Sequence, residues 1–108
     1  METLTFHYEA KLPVVRRAHV GVVGSGDLEV LIEPAAAQVT QVRVRTSVDG
    51  YGPVWDSVIG RFFASFGLAA RIEINDFGAT PGTVMLRLEQ AAELAGRQIN
   101  PNEGEEEA

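Results

Sequence analysis

Four segments in the first half of the chain alternate apolar and polar residues with a period of two. In TLTFHY, Leu4, Phe6 and Tyr8 share one face, and Thr3, Thr5 and His7 the other. In RAHVGVV, Ala18, Val20 and Val22 alternate with Arg17 and His19. In DLEVLIE, Leu28, Val30 and Ile32 alternate with Asp27, Glu29 and Glu33. In QVRVRTSV, Val42, Val44, Thr46 and Val48 alternate with Gln41, Arg43, Arg45 and Ser47. Successive side chains of a strand point to opposite faces, so this pattern, rich in β-branched residues, predicts four half-buried strands. The link Gly24-Ser25-Gly26 between the second and third, and PAAAQ between the third and fourth, are short enough for antiparallel hairpins.

The period then changes. Val54, Trp55, Val58, Ile59, Phe62, Phe63 and Phe66 recur at three- and four-residue spacing, which predicts an amphipathic helix with a broad apolar stripe. Pro53 suits its first turn, and Gly67 can end it with a left-handed residue. A fifth strand is expected where Ile72 and Ile74 alternate with Arg71, Glu73 and Asn75. Thr80 can cap a second helix with Pro81 in its first turn, followed by Val84, Leu88, Ala91, Ala92 and Ala95, and Gly96 would end it. Gly82 and Thr83 weaken that first turn, so strand character up to Leu86 is the alternative. The fold class expected is α+β: a mostly antiparallel sheet of about five strands with two amphipathic helices packed on one face. Residues 1–98 form a single domain on this reading, and 99–108 an acidic tail expected to be disordered.

Composition narrows the functions. A chain of 108 residues, 45% hydrophobic and 22% charged, is ordinary for one globular domain. No apolar run approaches the roughly 18 residues of a membrane span, and the N-terminus METLTFHYEA lacks the basic start and apolar run of a signal peptide. The expectation is a soluble cytoplasmic protein without a membrane partner. The net charge is −6, but Glu103, Glu105, Glu106 and Glu107 supply four of the fifteen acids, so the body is nearly neutral. A basic stripe for nucleic acid is missing, and nucleic acid is not an expected partner. There is no cysteine, hence no disulfide framework, thiolate metal site or protein thiol nucleophile.

Among candidate chemical groups, Ser25 stands out because glycines on both sides leave its hydroxyl unshielded at a bend between two strands. Read from the residues alone, Gly24-Ser25-Gly26 is first of all a turn, and a serine without a neighbouring base is no nucleophile. It is also a suitable point for a transferase to attach something. His7 and His19 fall on polar strand faces without metal-ligand or triad spacing, and no metal is expected. Asp76 in NDFG is read as a turn residue bonding its own backbone. Antiparallel pairing of the third and fourth strands would bring Glu29 near Arg43 and Asp27 near Arg45; the alternative role for Arg43 and Arg45 is contact with phosphates near Ser25.

The stretches GVVGSGDLEVLIEP, RVRTSVDGYGPVWDSVIGRFF and ARIEINDFGATPGTVMLRLEQA together resemble the acyl carrier (delta) subunit of biotin-independent malonate decarboxylase, over residues 20–93, and more distantly the acyl carrier subunit of citrate lyase. The resemblance implies a non-catalytic carrier of acetyl and malonyl thioesters in the conversion of malonate to acetate and carbon dioxide. It implies a triphosphoribosyl-dephospho-CoA-derived prosthetic group on Ser25 through a phosphodiester, with Gly24, Gly26 and Asp27 as the supporting turn. The implied partners are the transferase (alpha) and decarboxylase (beta and gamma) subunits, a prosthetic-group transferase and an acyl-loading enzyme. The thioester sulfur must then come from the arm, because the chain has none to offer. Two other readings compete: a non-covalent α+β binding or assembly module in which Gly24-Ser25-Gly26 is only a hairpin turn, and a small enzyme using His7, His19 and Asp76.

Ordinary acyl carrier proteins are helical bundles whose modified serine begins a helix, commonly after an aspartate. Here the serine lies between strands and the aspartate, Asp27, follows it. An ordinary phosphopantetheine transferase is therefore expected to modify this protein poorly. Intact mass after incubation with such an enzyme measures this, and rapid attachment at Ser25 would contradict it.

Overall fold

The computed structural model describes residues 1–10, 12–35 and 38–96. Its elements run β1 (Glu2–Glu9), β2 (Ala18–Gly21), β3 (Leu28–Pro34), β4 (Val39–Thr46), α1 (Gly52–Phe66), β5 (Ala70–Asp76) and α2 (Pro81–Leu94). The expected five strands and two helices are present; the acidic tail at 99–108 lies outside the described residues. Both helices begin with proline in the first turn. Gly67 ends α1 in the left-handed conformation, and Thr80 caps α2 by accepting from the Thr83 amide at 3.2 Å. With that cap in place, Gly82 and Thr83 are helical rather than extended.

The strand order is β1-β4-β5-β3-β2. β2 pairs antiparallel with β3 across the Ser25 corner, as expected. β3 and β4 do not form a hairpin. The chain leaves β4, passes through α1 and returns as β5 parallel to β4, with β3 antiparallel on β5's other side. The sheet is therefore mixed, with one parallel pair. A parallel neighbour needs a connection of a dozen or more residues, which α1 supplies. Charge favours the inserted order. β3 is acidic, β4 is basic, and the open face of β5 carries one of each: Arg71 lies opposite Glu33 and bonds it at 3.1 Å, while Arg43 lies opposite Glu73 and bonds it at 2.8 Å. The expected Glu29–Arg43 and Asp27–Arg45 pairs are accordingly absent.

One sheet face is covered and the other is open. Leu28, Val30, Ile32, Val42, Val44, Ile72 and Ile74 point to the covered side and are buried. Against them α1 sets Trp55, Val58, Ile59, Phe62 and Phe66, and α2 sets Val84, Leu88, Ala91 and Ala92. α2 lies over β2 and β3, while α1 contacts α2 and reaches β1, where Tyr8 stacks on Phe63 with ring centroids 4.5 Å apart. β2 is shorter than its alternation implies. Gly21 takes φ +89°, and a Cβ there would sit 2.1 Å from the Leu28 carbonyl oxygen, so only glycine fits. This bend ends the strand and leaves Val22 and Val23 exposed rather than facing the core.

Phe62 is the largest fully buried side chain. Phe62→Ala is expected to cost about 3–5 kcal/mol, because the helix-to-sheet layer can close only part of the resulting cavity. Urea unfolding measures it; a loss below about 1 kcal/mol, typical of uncritical positions, would show that Phe62 does not fill the layer between α1 and the sheet.

Candidate functional site

Ser25 sits at an exposed corner between β2 and β3. The Asp27 amide donates to the Gly24 carbonyl at 3.0 Å, closing a four-residue turn. Gly26 takes a positive φ, +76°, at the third position, as in a type II turn, and nothing lies within 4 Å of where its side chain would be. The corner is held firmly from the other side. The Gly26 amide donates to the Phe77 carbonyl at 2.7 Å and the Phe77 amide to the Asp27 carbonyl at 2.9 Å, extending the β3–β5 ladder past its last pair, Leu28 with Asp76. The Ser25 hydroxyl itself makes no hydrogen bond among the described residues, so the stiff frame leaves the oxygen available.

Asp27 anchors the turn through its side chain. Oδ1 accepts from the Leu28 amide at 2.7 Å and from Arg87 Nε at 3.2 Å, and Oδ2 accepts from Arg87 Nη2 at 2.9 Å. This two-pronged guanidinium–carboxylate pair ties α2 to the corner, with both side chains only partly exposed. The Arg87 hydrogen bond, helped by the Leu28 amide and by the guanidinium charge, holds the Asp27 carboxyl below its ordinary value against the opposing effect of partial burial. Arg87 is absent from the sequence reading. Its one available signal is its position beside Leu88 and three residues after Val84, at the rim of the α2 stripe, where a long side chain can reach the sheet end.

The other candidates lie elsewhere. Arg43 is engaged by Glu73, whereas Arg45, opposite Thr3 and Asn75, makes no ion pair among the described residues. His19 and Glu29 meet at 2.9 Å on the open face, and Glu29 also accepts from Asn75 at 2.9 Å. His7 is exposed on the same face but on the far edge strand. Asp76 points the opposite way, into the covered side, where it accepts from the Thr46 hydroxyl at 2.9 Å and from the Gly78 and Ala79 amides at 3.3 and 3.0 Å. That is the turn role expected of it, and it places the two histidines and Asp76 on opposite faces, so they cannot act as one catalytic group. No cluster of three metal-ligating side chains occurs among the described residues.

Comparison with known proteins points in one direction. Residues 15–95 match the family model described as malonate decarboxylase delta subunit. The malonate decarboxylase acyl carrier protein of Pseudomonas aeruginosa is 59% identical over 97 residues, covering 89% of this chain and 98% of that protein. That of Azotobacter vinelandii is 52% identical over 94 residues, covering 86% and 95%. A chain in the crystal structure of a Pseudomonas malonate decarboxylase hetero-tetramer in complex with malonate superposes with a TM-score of 0.84 at 49% identity, covering 89% of this chain and 100% of that one.

The Asp27–Arg87 pair has a pH signature. A carboxyl whose folded value is depressed stabilises the fold above its unfolded value, near 3.9, and that contribution fades as the pH falls through the lower folded value. Arg87→Gln should raise the Asp27 titration midpoint, read from its carboxyl carbon by NMR. The stability gap between wild type and variant should be full at neutral pH and shrink in strong acid. A gap independent of pH would mean that the arginine acts through packing alone.

Proposed function

The chain belongs to the malonate decarboxylase delta-subunit family and is an acyl carrier subunit of that enzyme, and from this we propose that it carries acetyl and malonyl groups as thioesters on a phosphoribosyl-dephospho-CoA arm joined by a phosphodiester to Ser25. The observation that carries the proposal is the exposed, unbonded Ser25 hydroxyl on a corner fixed by backbone bonds to Phe77 and by the Asp27–Arg87 pair. The site fits such a group: the space beyond Gly26 is open, and the hydroxyl has no partner among the described residues to give up before it is esterified. When bound, the arm supplies the thiol that a chain without cysteine lacks.

The protein's own part is mechanical and electrostatic. Gly26 lets the corner turn without a side chain over the hydroxyl, and Asp27, held by Arg87, keeps that corner at a constant height above the sheet. A rigid platform with a flexible tether raises the effective concentration of the cargo at whichever active site the platform docks on. Of the two strand arginines, Arg45 is the better candidate for a phosphate contact. Arg43 is held by Glu73, while Arg45 lies in the row Arg45–Asn75–Glu29, at the sheet end nearer Ser25.

The related hetero-tetramer supports a role as one subunit of a larger complex. The partners proposed are the transferase (alpha) and the decarboxylase (beta and gamma) subunits, with a prosthetic-group transferase and an acyl-loading enzyme for maturation, all in the cytoplasm. The reaction chemistry, including stabilisation of charge as carbon dioxide departs, is assigned to those subunits.

Protein made together with its maturation enzymes should gain one phosphate-containing adduct, mapped by mass to the peptide spanning residues 18–43. Ser25→Ala should carry none and should reduce decarboxylation by the assembled complex to background, with stability within about 0.5 kcal/mol of wild type as for an exposed position. Full turnover by a complex built with Ser25→Ala would end this reading.

A further inference from the structure

Next to the Ser25 corner, the first turns of α1 and α2 stand apart and leave a groove of about 320 Å³, within the range typical of small-molecule sites. Its walls are apolar: Val48, Tyr51, Val54, Trp55, Val58 and Val84. Val48, Tyr51 and Val54 are 36%, 52% and 39% exposed, so this is apolar surface that the core does not use. Among the described residues, its one charged lining residue is Asp76, and no lysine, arginine or histidine lines it. The Asp76 carboxylate already accepts from Thr46, Gly78 and Ala79.

The groove and the corner are neighbours through the backbone. Ser25 precedes Gly26, whose amide bonds the Phe77 carbonyl at 2.7 Å, and the residues on either side of Phe77, Asp76 and Gly78, both line the groove. An arm rooted at Ser25 starts at a corner joined to the groove's rim through Gly26 and Phe77.

Resting on the assignment of Ser25 as the attachment point, we propose that this groove binds the acyl-thioester end of the protein's own arm, and that it accepts the neutral acetyl form and rejects the malonyl form. Three physical considerations support this. First, an acetyl thioester is small, uncharged and mostly apolar, matching walls that offer burial and no cation. Second, a malonyl group would bring a carboxylate into an apolar site with no basic partner and with Asp76 beside it, so both desolvation and like-charge repulsion oppose entry. Third, the tether holds the acyl end at an effective concentration in the millimolar range, so the weak affinity available to two carbons and a sulfur is sufficient. The groove is then a shelter selective for cargo state. The acetyl form rests inside, where water is kept from the thioester carbonyl, and exchange for malonyl turns the arm outward to be presented.

The test uses full-length protein in four states: unmodified, thiol form, acetyl-loaded and malonyl-loaded, each verified by intact mass. With a carbon-13-labelled acetyl methyl, nuclear Overhauser contacts to the Trp55 indole and the Val84 methyls are expected. The Val54, Val84 and Trp55 signals should shift in the acetyl form and return to their unmodified positions in the malonyl form. Hydrolysis, in which water attacks the carbonyl and the carbon–sulfur bond breaks to give acetate and free thiol, should be several-fold slower in wild type than in Val54→Gln, a change at a part-exposed helix position. Protein that acquires no adduct at all overturns the Ser25 assignment itself. A verified acetyl adduct that produces no contact and no shift overturns the groove while leaving that assignment intact, and equal shifts in the acetyl and malonyl forms overturn the selectivity.

Discussion

The corner formed by Asp76 and Phe77 at the end of β5 is where the working parts of this molecule meet. Asp76 is 3% exposed and satisfied by one hydroxyl and two amides, fixing the exit from β5 and the approach to α2. Phe77 then exchanges two backbone bonds with Gly26 and Asp27. The Ser25 corner is thus held by the central part of the sheet and not merely by its own hairpin. Removing the Asp76 carboxylate would leave the buried Thr46 hydroxyl without this acceptor, at a cost of about 1–3 kcal/mol, would free two part-buried amides to water, and would loosen both the start of α2 and the turn that carries Ser25.

That arrangement explains how a β-turn can hold Ser25 in a fixed position. A two-stranded ribbon alone is marginal in water, and β2 contributes only four residues. The turn is stiff because β3 is flanked on its other side by β5 and because Arg87 reaches across from α2 to Asp27. Three separate elements therefore fix the position of one hydroxyl, and none of them covers it.

Local order was legible in the sequence; the order of strands across the sheet was not. Period two and period three-to-four gave the strands and helices because each element buries one face, and the caps Thr80 and Gly67 behave as their chemistry demands. The hairpin expected between β3 and β4 failed because alternation says which face a strand buries, not which neighbour it takes. The acidic and basic strands do complement each other, but through β5, whose Arg71 and Glu73 answer both. Val22 misled because the Gly21 bend that removes it from the sheet depends on contact with the Leu28 carbonyl, seen only once the strands are paired. The exposed turn at Ser25 was legible from its flanking glycines. Arg87 was not, because a lone arginine on a helix rim does not announce an aspartate sixty residues away.

The open face of the sheet raises a different question, since parallel strand pairs are usually covered on both sides. Here the parallel seam between β4 and β5 faces water, and the Arg43–Glu73 pair spans it. Beside it, Glu33 accepts from both Arg71 and Arg17, and Glu29 engages His19 and Asn75. Individually, exposed pairs of this kind contribute no more than about 1 kcal/mol. Their larger effect is on register: slipping any strand by one residue would set these charges against the core and turn the isoleucines and valines out to water. The charged rows thus do for the open face what the helices do for the covered one. They fix the strands in a single alignment, and with it the height of the corner at which Ser25 stands.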